Sequence, residues 1–235
     1  MENNYKVIEI DYHLFRAFFH FLLCQNNWYF RFDSKKNKLS IGIDREEIIM
    51  ECRLPLIFPS CYDHEDLPEY VQKVDRVSLN YIILLIQSGI CSLGYFENGE
   101  LGDHHVIRKY TVRKKQGKAQ ITYLKKKGKS RYGSRIRLAN TVQFFNEINR
   151  ELNTLFEEKI VNQILYNCAP YSWGMLFRSK IKCPFNKNDL RLKRIPVYVN
   201  IPNFKQLLYI NKRILTGTLK IIEKNYNDIL DLVKL

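Results

Sequence analysis

The residues of this chain best suited to chemistry are Gly117-Lys118-Ala119-Gln120. A glycine lets the backbone turn sharply and come close to a ligand. An amide side chain presents one acceptor and two donors, enough to orient a water molecule or a ribose hydroxyl. It takes up no proton near neutral pH, so Gln120 would act by positioning and hydrogen bonding and not as a general base. Basic side chains crowd both sides: Arg113, Lys114 and Lys115 before it, Lys125, Lys126, Lys127 and Lys129 after it. Such groups neutralise phosphates and give affinity without reading sequence. Lys115 and Lys118 could also stabilise negative charge developing on a phosphate or carbonyl oxygen.

The charge of the whole chain points to the same place. The formal net charge is +14, from 38 basic and 24 acidic residues. Between His104 and Asn146 there are 13 Lys or Arg and no Asp or Glu, which leaves 25 basic residues against 24 acidic elsewhere. One basic patch on an otherwise balanced chain is the footprint of a polyanion site. The blander reading is a solvated basic loop without a partner. With no carboxylate, this segment cannot by itself hold Mg²⁺, which wants oxygen ligands, and a two-metal nuclease built here is disfavoured. His104 and His105 would point to opposite faces of an alternating strand and so cannot easily act together. Tyr110, Tyr123 and Tyr132 could stack on unpaired bases, although core packing or chance explains each more simply.

The chain has 235 residues, 46% of them hydrophobic, enough to bury a real core. No apolar run reaches the roughly 18 residues of a membrane helix. Leu14 to Leu23 is interrupted by Arg16 and His20 and lacks a small-residue cleavage site, so it reads as a packed helix and not a signal peptide. Cys24, Cys52, Cys61, Cys91, Cys168 and Cys183 are scattered without the close pairs of a zinc site. Reduced cysteines in a soluble cytoplasmic protein are expected.

The elements that must position the loop follow from pattern. Residues 11–25 read as a leader helix with Leu14, Phe15, Phe18 and Leu22 on one face. A hairpin is expected over 28–33 and 38–44, a strand over 46–54, and an acidic loop over 61–72. Tyr81 to Ile86 has the continuous apolar run of a strand buried on both faces. Ser88-Gly89 turns it into Ile90 to Phe96, and Asn98-Gly99 is a hairpin turn leading to a third strand over 106–112. The loop from Arg113 to Gly133 has no apolar periodicity. At about 20 residues it is long enough to be functional or disordered. A helix follows from near Ser134, with Val142, Phe145, Ile148, Leu152 and Leu155 along one face. Strands are expected over 160–166 and 195–199, then a helix capped by Asn203, punctuated at Gly217 before a last helix to Leu235. The sum is an α/β fold, a mixed central sheet with helices packed on it. The domain reading is a leader over 1–26 and one domain over 27–235 that carries the loop.

Tyr81 to Asn140 resembles the Vms-like release factor family, which includes the ankyrin-repeat and zinc-finger peptidyl-tRNA hydrolase. The resemblance rests on the buried strand, the glycine-containing hairpin, Arg108-Lys109-Tyr110-Thr111-Val112-Arg113-Lys114-Lys115-Gln116-Gly117, and the Gly-x-x-Gln of Gly117 to Gln120. Gly133, Ile136, Arg137 and Asn140 take the places that open the next helix. Asn188-Asp189-Leu190-Arg191, Ile195-Pro196 and Pro202-Asn203-Phe204 extend the match to roughly two-thirds of the chain. The chain departs at Lys118-Ala119, where the family has Gly-Ser or Thr-Ala, and at Leu138 and Ala139, where it has an arginine and an aromatic. The zinc finger, ankyrin repeats and partner-binding tail of eukaryotic members have no counterpart, as in a stripped-down bacterial member. The resemblance also implies a fold like the middle domain of archaeal and eukaryotic class I release factors.

What the resemblance implies is cleavage of peptidyl-tRNA on stalled ribosomes or large subunits, with Gln120 as the catalytic residue. Gly117, Lys118 and Ala119 form its loop. Arg108, Arg113, Lys114, Lys115, Lys125, Lys126, Lys127, Lys129, Arg131, Arg135, Arg137 and Asn140 are the RNA-binding set. No metal, cofactor or membrane is called for, and the protein would act as a cytoplasmic monomer. The competing class is a ribosome- or RNA-binding module without catalysis. Charge reversal at Lys125, Lys126 and Lys127 is expected to weaken binding to large subunits and flatten its salt dependence, measured by co-sedimentation across a salt series.

Overall fold

The computed structural model describes residues 4–25, 27–111 and 131–222, with side chains in the last stretch described from residue 135. Gln120 and its basic neighbours from Arg113 to Lys129 therefore lie outside the described residues. The chain divides into two compact units, Met1–Ser78 with Ile210–Leu235, and Leu79–Tyr209. Both are built of a five-stranded sheet with helices, so the α/β expectation holds with two sheets in place of one.

In the second unit the sheet order is β7 (Glu100–Arg108), β6 (Ile90–Glu97), β5 (Asn80–Gln87), β8 (Gln163–Cys168), β9 (Leu192–Arg194). β6 runs antiparallel to β5 and β7, while β5, β8 and β9 are parallel. The carboxyl ends of β5, β7, β8 and β9 therefore share one edge. Tyr81 to Ile86 is buried on both faces, as its unbroken apolar run predicts. One face packs against α3 (Arg131–Glu158) through Phe145, Ile148, Leu152 and Leu155, and against Leu176 of α4 (Pro170–Phe177). On the other face Gly94 meets Leu207 of α5 (Phe204–Leu215), so close that an added Cβ would lie 2.8 Å from its methyl. Asn203 caps α5 as expected, its side chain accepting from the Gln206 N–H at 2.8 Å. Ser88 and Gly89, with φ of 47° and 80°, and Asn98 and Gly99, with 52° and 86°, form the two-residue turns that match strand twist.

Three sequence expectations change in this unit. The third strand runs from Glu100 to Arg108, starting directly after the Asn98-Gly99 turn. β8 starts at Gln163, three residues later than expected, and α4 was not foreseen although Pro170 stands in its first turn. Residues 195–199 form no strand. Asn167 Nδ2 instead donates to the carbonyls of Ile195 (3.0 Å) and Val197 (2.7 Å), a side chain standing in for a ladder that Pro196 cannot continue.

The first unit is an antiparallel sheet in the order β1 (Tyr5–Asp11), β10 (Thr216–Ile222), β4 (Ile48–Arg53), β3 (Lys38–Gly42), β2 (Tyr29–Asp33). Its register lines up Leu219, Cys52, Leu39 and Phe32 across four strands, all buried. The neighbouring row, Lys220, Glu51, Ser40 and Arg31, faces the opposite way, as the period of two requires. α1 (Tyr12–Leu23) starts where Asp11 accepts from the N–H groups of His13 (2.8 Å) and Leu14 (3.0 Å), and buries Phe15, Phe18, Phe19 and Leu22. The residues expected as a leader thus supply a strand and a helix of this unit.

The acidic stretch expected as a loop over 61–72 contains the start of α2 (Leu67–Asp75). Asp66 caps it, accepting from the Glu69 N–H at 2.7 Å, a signal present in the sequence as Asp-Leu-Pro-Glu. Its Tyr70 ring lies 4.7 Å from that of Phe32 and 5.7 Å from that of Phe19.

Gly217 does not punctuate a helix: it sits in β10, and residues 223–235, expected as a last helix, lie outside the described residues. A Cβ there would lie 2.2 Å from the Phe15 ring and 2.7 Å from the Arg53 carbonyl. Gly217→Ala is therefore expected to destabilise the protein by about 1–3 kcal/mol, seen as a lower urea midpoint at unchanged slope.

Candidate functional site

The basic segment is joined to the second unit at two stems, the exit of β7 and the start of α3. At the first, the Lys109 N–H donates to the Gly89 carbonyl at 2.9 Å. Gly89 must be glycine there: its φ is positive, and a Cβ would lie 2.3 Å from Thr111 Oγ1 and 2.5 Å from the Lys109 carbonyl. Two contacts then tie this stem to the helix. Asn140 Nδ2 donates to the Tyr110 carbonyl at 3.0 Å, and Lys109 Nζ pairs with Glu147 at 2.9 Å.

α3 is fixed in turn by asparagines along one of its faces. Asn146 Oδ1 accepts from Ser179 Oγ at 2.6 Å and from the Lys180 N–H at 3.1 Å. The fully buried Asn149 donates to the carbonyls of Leu176 (2.9 Å) and Ile181 (2.7 Å). Asn153 donates to that of Lys182 at 3.0 Å. Positions 146, 149 and 153 share a helix face, so one polar stripe satisfies the carbonyls and amides of an irregular segment that has no ladder of its own.

Of the expected RNA-binding set, Arg108 ends β7 exposed to solvent. Arg135 is exposed and Arg137 half-buried near the start of α3, while Arg131 lies in its first turn. Asn140 is half-buried, with its amide spent on Tyr110. Leu138, standing where the family has arginine, is exposed. Gly117, Lys118, Ala119 and Gln120 lie outside the described residues, as do Arg113, Lys114, Lys115, Lys125, Lys126, Lys127 and Lys129.

His104 and His105 diverge as the alternation requires. The His104 ring lies 4.5 Å from that of Phe204, whereas His105 stands 3.3 Å from Glu151 and 3.6 Å from Asp103. Among the described residues no group of three His, Cys, Asp or Glu is placed to hold a metal ion, and no helix is long and apolar enough to cross a membrane. All six cysteines are free.

Two clefts open at the carboxyl edge of the sheet, where open α/β sheets bind ligands. One, of about 320 Å³, lies between the Ser88-Gly89 turn, Thr111, Thr141 on α3 and Tyr171 on α4. The other, of about 470 Å³, lies against Asn167, Cys168, Arg194 and Tyr198. They share Gln87 and Ala169. Burial pushes the Cys168 thiol up to about 11, so it is protonated at neutral pH and unsuited to nucleophilic attack. Nearby, burial pushes the Lys193 ammonium down to about 8. Sequence pattern did not single out Gln87, Tyr171 or Tyr198, because strand ends and loop positions have no periodicity to read.

A family model for the Bacteroidetes VLRF1 release factor matches residues 81–222, more than half of the chain, and the chain belongs to that family. The match agrees with the Vms-like resemblance carried by Tyr81 to Asn140. Among solved structures the chain is similar to the Vms1 mitochondrial localization core, at 9% identity and a TM-score of 0.45, over 88% of this chain and 82% of that one. No curated protein matches it.

Asn140→Ala is expected to loosen the β7 exit, leaving the Lys109–Glu147 pair as its tie to α3. Amide exchange at Lys109 should accelerate while β5 stays protected, and stability should fall by about 0.5–1.5 kcal/mol, followed by NMR hydrogen exchange and urea unfolding.

Proposed function

We propose that this protein cleaves peptidyl-tRNA on stalled ribosomes or large subunits, with Gln120 as the residue that orients the attacking group. The observation that carries the reading is the pairing of two facts. A Gly-x-x-Gln segment without carboxylates belongs to a member of a release factor family. Its two stems are tied by Asn140 to Tyr110 at the sheet edge where clefts open.

Two reactions at the 3′ end of the tRNA fit an amide that positions and does not take up protons. In the first, water attacks the ester carbonyl carbon, the bond to the ribose oxygen breaks, and that oxygen leaves with a proton. In the second, a ribose 2′-hydroxyl gives up its proton and attacks the neighbouring phosphorus, and the 5′ oxygen of the next nucleotide leaves with a proton, so that the tRNA is cut just before its CCA end with a 2′,3′-cyclic phosphate on the shortened body. Lys115 and Lys118 would lower the cost of the negative charge that develops in either. Arg108, Arg135 and Arg137, with the basic residues between the stems, would hold the tRNA and ribosomal phosphates. The protein acts in this reading as a monomer, in the cytoplasm with its ribosomes, and needs no metal.

Gln120→Ala is expected to lower nascent-chain release from stalled large subunits by at least about 100-fold, the scale of losing one positioned catalytic group. Its co-sedimentation with those subunits should be unchanged. Release at the wild-type rate would instead leave an RNA-binding module without catalysis. Sequencing the 3′ end of the released tRNA then separates the reactions: an intact CCA end marks ester hydrolysis, and a truncated one marks tRNA cutting.

A further inference from the structure

The two clefts at the carboxyl edge are the part of the second unit that this mechanism leaves unused. Among the described residues neither is lined by an Asp or a Glu, and the charged group on their lining is Arg194. Each has an exposed tyrosine on its lining, Tyr171 at 72% and Tyr198 at 78% of full exposure. Among the described residues the aromatic contacts of this region join Tyr166, Trp173, Phe177 and Phe185 and leave both of these rings out. Gln87, shared by both clefts, adds an amide that can donate and accept.

We propose that Tyr171 and Tyr198 are stacking platforms for unpaired nucleotides of an RNA 3′ end, with Arg194 on the phosphate beside Tyr198, whose cleft it lines. This rests on the reading that the protein acts on tRNA. The chemistry of the lining selects the occupant. In the larger cleft cation, flat ring and amide suit a base and its phosphate, in the smaller one ring and amide suit a base, and a lining without carboxylates among the described residues avoids repulsion toward a polyanion. A duplex hides the faces of its bases, so the rings favour a single strand over a helix. The basic segment follows Thr111, and Thr111 lines the first cleft together with Tyr171. The lysines would then supply salt-sensitive affinity and the tyrosines affinity that survives salt.

The test uses the full chain and a short fluorescent single-stranded RNA ending in CCA, with binding read by anisotropy at low and high salt. Tyr171→Ala and Tyr198→Ala are each expected to weaken binding about fivefold or more, with the salt slope unchanged. Tyr171→Phe and Tyr198→Phe should bind like the wild type, since stacking needs the ring and not the hydroxyl. Duplex RNA of the same length should bind alike to all variants. Equal binding by the alanine variants, or equal loss in the phenylalanine variants, overturns the proposal. Gln120→Ala serves as the control that separates the two readings. If it still releases peptide while the alanine variants lose RNA binding, the catalytic reading fails and the stacking site stands.

Discussion

Everything in the second unit follows from the burial of β5. Six consecutive side chains from Tyr81 to Ile86 are at most 1% exposed, so both faces of the strand need cover and both of its edges need partners. β6 supplies one edge through a two-residue turn. The other edge is filled by β8, which reaches it in parallel after the long excursion through α3. A parallel partner cannot be reached by a tight turn, so the chain must cross over the face of the sheet. That crossover places α3 on the core, after the chain has left β7 at the carboxyl edge.

Polar side chains then do the work that regular structure leaves undone. Asn140, Asn146, Asn149, Asn153 and Asn167 each bond backbone groups outside the ladders. The Oδ1 atom of Asn149 is buried without a hydrogen-bond partner among the described residues. A leucine at that position would bury more apolar area but would abandon the carbonyls of Leu176 and Ile181, a larger loss in a dry interior. The rigidity of the stem helix is therefore bound up with the irregular segment after α4.

Legibility in the sequence tracked how local the cause was. The β5–β6–β7 meander, its two turns, the apolar face of α3 and the cap at Asn203 are written in neighbouring residues and match the structure, with β7 displaced by a few positions. The residues of β10 have the local pattern of a helix end, and their partners, β1 and β4, stand more than 160 residues away along the chain. Residues 195–199 have strand composition, yet the Asn167 side chain takes their carbonyls. The family was legible from Tyr-Thr-Val-Arg with Gly-x-x-Gln, and the charge pattern located the segment. Tyr171 and Tyr198 were not legible, since only the fold brings strand ends and loops to one edge.

The place of β10 between β1 and β4 has a consequence for synthesis. A chain emerging from the ribosome amino end first delivers β1 to β4 early, but the gap in their sheet stays open until residues 216–222 have been made. Leu79 to Tyr209 carries all five strands of its own sheet and can close first. The order of completion thus runs against the order of synthesis, and for some 160 intervening residues the unpaired edges of β1 and β4 are open to strand pairing with another chain.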